Sequence, residues 1–198
     1  MQKIGGKAVL FALGLMLTAT TFLGCASHRQ DSSAPLSAAL TPTVRYVLPS
    51  LAGVQPFAWQ QLLTAHYQEK SHQLVVQLEY DGKVLHLAGM TPFGLRLFAA
   101  WYDGTQLNIE KLELPAGQLP DAAQVLSDIL LSIVPQENLA TQLPSGFTLT
   151  SKGLTRILLD AEHEPVLQID YKAQGDAILP VKISHRRFNY TIGLDYLN

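Results

Sequence analysis

Between Ser71 and Leu112 apolar and polar residues alternate in one short run after another. Gln73 to Tyr80 puts Leu74, Val76, Leu78 and Tyr80 on one side, the period of two expected of a strand with one buried face. Asp81-Gly82 follows, a dipeptide that tolerates positive φ and predicts a two-residue type I′ hairpin turn. Lys83 to Met90 alternates again, with Leu85 and Leu87 opposite Val84 and His86. Thr91-Pro92-Phe93-Gly94 breaks the ladder, because proline has no N–H to donate. Leu95 to Tyr102 and Thr105 to Leu112 are the next strands, joined at Asp103-Gly104. Leu95–Tyr102 is apolar on both sides, with Leu95, Leu97, Ala99 and Trp101 on one and Arg96, Phe98, Ala100 and Tyr102 on the other. A sheet of that kind is either covered on both faces or lines an apolar cavity.

Upstream, Val44 to Phe57 is irregular, with Pro49 and Pro56, and Phe57 to Gln68 alternates imperfectly as a strand, a helix being the alternative. Downstream, a Pro/Gly loop at Leu114 to Leu119 leads into Pro120-Asp121, which suits a helix start. Ala122, Val125, Leu126, Ile129, Leu130 and Ile133 then recur at helical spacing, and Ala123, Leu131 and Val134 widen the apolar arc. Pro135 ends the helix, and Asn138 to Gln142 adds a short turn. After the break at Leu143-Pro144-Ser145-Gly146, strands are predicted at Phe147–Ser151, Leu154–Ala161, Val166–Ala173, Leu179–His185 and Asn189–Tyr196. The expectation is a mainly β, α+β domain over 44–198, with about ten strands and one main helix.

Composition adds a sizeable core, since 47% of the 198 residues are hydrophobic and 15% charged. The net charge of −2 with scattered Lys and Arg argues against nucleic acid. The densest basic group, Lys182, His185, Arg186 and Arg187, reads as a solvated turn. The N-terminus stands apart. Lys3 and Lys7 precede the uncharged apolar run Ala8 to Leu23, a pattern of signal-peptide type. It ends Thr21-Phe22-Leu23-Gly24-Cys25, which resembles the lipobox of bacterial lipoproteins, with Phe22 in place of the usual Leu. Cys25 is the sole cysteine. The resemblance implies a signal peptide over 1–24, a diacylglycerol on Cys25, and, since Ala26 is not Asp, delivery to the periplasmic face of the outer membrane. Residues 25–43, rich in Ser, Ala and Pro, read as a flexible tether with a reach of about 60 Å.

Candidate chemistry is sparse. The sequence holds no G-x-S-x-G, P-loop, G-x-G-x-x-G or H-E-x-x-H motif, and its six His residues share no metal-like spacing. Asp160-Ala161-Glu162-His163-Glu164 is the one dense group of hard ligands and reads as a solvated hairpin loop. The expectation is a protein that is not an enzyme and takes neither metal nor cofactor.

The order of strand block, linker, strand, helix and second strand block resembles the half-barrel lipoprotein-handling proteins LolA and LolB. The matching piece runs Leu85-His86-Leu87-Ala88-Gly89-Met90-Thr91-Pro92-Phe93-Gly94-Leu95-Arg96-Leu97. Thr91–Gly94, Tyr102-Asp103-Gly104 and Ser127-Asp128-Ile129-Leu130-Leu131 are also similar to a bacterial lipoprotein family of unknown function, whose members accompany genes for aryl-polyene or related fatty-acyl lipids. These resemblances imply a curved antiparallel half-barrel capped by the helix. They also imply a lipid-related role in the envelope: binding or transfer of acyl-chain lipid or lipoprotein in an apolar groove. The candidate lining residues are Leu95, Leu97, Phe98, Trp101, Ile129 and Ile133, with Phe93 as a membrane or partner contact. The alternative is a non-catalytic docking subunit of an envelope export or biosynthesis machine.

Overall fold

The computed structural model describes residues 32–33, 36–111 and 122–197. The signal-like run, Cys25 and the helix-start pair Pro120-Asp121 lie outside the described residues. The ten strands expected over 57–196 all form, in two antiparallel meanders of five. The first is β4 (Phe57–Tyr67), β5 (Lys70–Tyr80), β6 (Leu85–Met90), β7 (Arg96–Tyr102) and β8 (Leu107–Lys111). The second is β9 (Thr148–Lys152), β10 (Thr155–Leu159), β11 (Pro165–Gln174), β12 (Ala177–His185) and β13 (Tyr190–Tyr196). Between them run α1 (Ala122–Ile133) and the short α2 (Gln136–Ala140), and ahead of them β1 (Ser32–Ser33), β2 (Ser37–Ala39) and β3 (Arg45–Val47).

The meanders join where β13 pairs with β4, from Tyr190 opposite Tyr67 to Tyr196 opposite Gln61. The result is one sheet in the order β1-β8-β7-β6-β5-β4-β13-β12-β11-β10-β9, not closed into a barrel. It is the open, curved half-barrel with a helix that the sequence predicts. Period-two alternation sorts the side chains as expected, with Val76, Leu78, Tyr80, Leu85 and Leu87 buried on the inner face while Gln77, Glu79 and His86 are exposed outside.

The helix lies inside this bowl and is buried nearly all round. Ala123, Leu126, Leu130, Leu131 and Val134 are in the core, as are Ser127 and Asp128. Val125, Ile129 and Ile133 form the half-covered stripe. Arg156 holds its last turn, donating from Nη1 to the carbonyls of Leu131 and Val134 at 2.7 and 2.9 Å.

Three local expectations are corrected. The described part of the tether expected over 25–43 is ordered, because β2 pairs with β3 and buries Ala38, Leu40, Tyr46 and Leu48 in the common core. Three-residue strands in a Ser/Ala/Pro-rich setting carry too little periodicity to be seen in sequence. The segment is fixed by Tyr102, whose hydroxyl donates to the carbonyls of Leu48 and Pro49, and by Tyr46, hydrogen-bonded to Ser127 at 2.8 Å.

The Asp81-Gly82 turn is a four-residue loop instead of a two-residue type I′ turn, and Asp103-Gly104 opens a loop of the same length. Asp81 Oδ1 accepts the N–H groups of Lys83 and Val84, and Asp103 Oδ1 those of Thr105 and Gln106. The carboxylate thus captures donors that a tighter turn would have spent on the ladder.

Finally, Gly89 faces Phe98 while Met90 faces Arg96, so Leu97 is an extra, bulged residue. The bulge turns Leu97 inward beside Phe98, instead of placing it on the side of Ala99 and Trp101.

The same crossing explains Gly89, since a Cβ there would sit inside the Phe98 ring. Gly89→Ala should displace that ring and lower stability by about 1–3 kcal/mol in urea titration, without loss of the sheet by circular dichroism.

Candidate functional site

The inner face of the sheet is only partly covered. Between the first half of α1 and the strands β4, β5, β7 and β13 a groove of ≈ 700 Å³ remains open. Its walls are Leu63, Ala65, Leu74, Val76, Leu97, Phe98 and Ile192 from the sheet, and Val125 from the helix. They are apolar because each sits at an inner position of its strand, where the period of two repeats the same chemistry. Ser37 and Ala38 border it on the hairpin side, and His66, Tyr67 and His72 on the side of the β4–β5 turn.

One acid interrupts this apolar lining. Asp128 is 3% exposed and accepts from the Tyr190 hydroxyl at Oδ2 and, more loosely, from Gln124 Nε2 at 3.5 Å at Oδ1. Burial pushes its carboxyl up to about 7, against the opposing pull of the two donors. The Tyr190 hydroxyl is raised in turn, by its own burial and by the neighbouring acid. The site therefore presents a carboxyl with a raised affinity for its proton, inside a mainly apolar cavity whose lining also includes Arg45, Gln73 and Gln124.

The expected lining residues are dispersed. Leu97 and Phe98 line the groove. Ile129 packs against the core from the half-covered stripe of α1, and Ile133 lies at a separate cleft beyond the far end of the helix. Trp101 faces the other side of the sheet, beside a shallow outer depression that also includes Ala88, Ala99 and His86. Leu95 is 56% exposed. Phe93 is 98% exposed at the tip of a tight loop. There the Gly94 N–H donates to the Thr91 carbonyl, and the Leu95 N–H to Thr91 Oγ1. Thr91, which opens that loop, and Leu97, in the strand that follows it, line the groove, so the exposed aromatic projects from its margin.

Sequence reading missed Asp128 and Tyr190, although Gln124 and Asp128, four residues apart within an apolar helical arc, were a readable signal.

Two polar groups away from the groove are structural. Asp160 anchors its own hairpin: burial alone would raise its carboxyl, but the N–H groups of Glu164 and Glu162 and the Arg187 guanidinium hold it below the usual range. The basic group expected to be a solvated turn is broken up, with Arg187 paired to Asp160 and His185 buried against Phe188 and Tyr190. Among the described residues no three His, Cys, Asp or Glu side chains converge on a metal site, and no helix is long and apolar enough to cross a membrane.

The raised Asp128 carboxyl sets a sign for pH dependence. The folded state holds a proton that the unfolded chain releases near pH 4, so stability should fall as pH rises from about 4 to about 7 and level off above that. The expected loss is on the order of a few kcal/mol in urea titrations at pH 5 and pH 7.5, and Asp128→Asn should flatten it.

Residues 58–198 match the model of a family described as "Protein of unknown function (DUF3261)", and the chain belongs to that family. No curated protein matches it.

Proposed function

Starting from that membership, we propose that the protein is a lipoprotein held by Cys25 at the periplasmic face of the outer membrane, where it binds and hands on an acyl-chain lipid or lipid-modified protein. The observation that carries this reading is the groove of ≈ 700 Å³, walled by apolar side chains on both the sheet and the helix. A cavity of that volume is within the ordinary range for small-molecule sites. Each buried methylene contributes about 0.8 kcal/mol, so one long chain gains on the order of 10 kcal/mol before ordering costs. The Lol-type likeness and the association with aryl-polyene lipid export belong to this proposal and point the same way. Phe93 supports it mechanically. An exposed aromatic on a loop that starts at the groove wall can enter a bilayer while the groove receives its chain.

No reaction is proposed. Binding and release need only apolar contact, with Asp128 available to hydrogen-bond a polar group on the ligand. A second reading, a docking subunit of an envelope export machine, is favoured by the same exposed Phe93 and by Val47, which is 69% exposed on the hairpin.

Filling the groove tests the first reading. Ala65→Trp should weaken binding of a fluorescent sixteen-carbon fatty acid by about tenfold or more, with unchanged circular dichroism. Phe93→Asp should leave that affinity intact and slow transfer of the fatty acid to phospholipid vesicles. If the unaltered protein fails to take up the probe, and its native mass spectrum shows no bound lipid, the groove reading is wrong and docking takes its place.

A further inference from the structure

Beyond the far end of α1 lies a second opening of ≈ 420 Å³, on the same inner face but with different chemistry. Phe57 and Trp59 of β4 form one wall, their rings stacked at 3.9 Å, and Ile133 of α1 and Ile178 of β12 add aliphatic surface. Arg156 and Tyr171 also line it, with the guanidinium 5.5 Å from the centre of the Tyr171 ring. Among the described residues no Asp or Glu lines this cleft. Gln61, a buried polar residue of β4, lies in sequence between Trp59 at the cleft and Leu63 at the groove.

Arg156 is the informative residue. Its Nη1 is committed to the carbonyls of Leu131 and Val134. Its Nε is buried without a partner. Among the described residues no carboxylate lies within salt-bridge distance of it. A guanidinium fork is the side chain best matched to carboxylate and phosphate oxygens. Here one arm is fixed by the helix end, which holds the charge in place at the wall of the cleft, while Nε is left without an acceptor. Ile178 at 61% exposure and Leu154 at 45% leave apolar surface uncovered at the rim.

We propose that this cleft is a second ligand site, for an amphiphile whose anionic group, a phosphate ester or carboxylate, meets Arg156 while its hydrocarbon lies against Phe57, Trp59 and Ile178. It does not depend on the groove: each opening has its own lining and its own chemistry. The test uses the full chain with Trp101→Phe, which leaves Trp59 as the single tryptophan and places the reporter in the cleft. Octyl phosphate should shift the Trp59 emission at a concentration about tenfold lower than either octanol or inorganic phosphate does. Arg156→Gln should remove that preference and Arg156→Lys should keep part of it. Because Arg156 also supports the helix, Ile178→Glu is the decisive variant. It places a like charge at an exposed rim position and should weaken octyl phosphate by about threefold or more with the fold intact.

Equal affinity for octanol and octyl phosphate would overturn the anionic half of the proposal. Inorganic phosphate binding as tightly as octyl phosphate would overturn the hydrocarbon half, and an unaffected Ile178→Glu would remove the site from this cleft. A failure of the fatty-acid test at Ala65 bears only on the groove.

Discussion

The mismatch between a wide curved sheet and a single short helix organises this molecule. Eleven strands at about 4.8 Å spacing make a surface roughly 50 Å across, whereas a helix covers a band of about 10 Å. Period-two alternation makes the inner face apolar along nearly every strand, so all of that width asks for cover. The β2–β3 hairpin and the segment up to Leu51 supply some, contributing Ala38, Leu40, Tyr46, Leu48 and Leu51 to the core. What neither reaches remains as the groove and the cleft. Both openings follow from the same shortage of covering elements, and an active-site loop is needed for neither.

Because α1 is enclosed nearly all round, its polar residues are forced indoors and must find partners there. Ser127 has Tyr46, Asp128 has Tyr190 and Gln124, and the Ser132 carbonyl has the Tyr171 hydroxyl. These bonds tie the helix to β3, β13 and β11, so its position is set by directional contacts as well as by apolar packing. The apolar arc alone would allow the helix to roll, and the polar belt sets which stripe faces the openings. Val125, Ile129 and Ile133 are that stripe.

Most of the architecture was legible in sequence because strand alternation and helical spacing are strong local signals, as the clean sorting of Leu85 and Leu87 from His86 illustrates. The site was less so. The bulge that turns Leu97 inward depends on pairing with Gly89 and Met90, which alternation along one strand cannot reveal. Trp101 looked like lining for the same reason, since an apolar residue on a two-faced strand gives no sign of which face is inside. Asp128 was hidden by its neighbours: a carboxylate within an apolar arc is invisible to a hydrophobicity pattern until Tyr190, 62 residues away, is seen to hold it.

The two-residue strand β1 has a geometric result out of proportion to its size. Ser32 pairs with Ile109 and Ser33 with Asn108, at the edge of the sheet. For a chain anchored through Cys25, as proposed, only seven residue steps separate the lipid from this strand, at most about 25 Å. Under that proposal the body would be a moored vessel, reached by cargo that comes alongside, with β8, the partner of β1, as the side nearest the mooring.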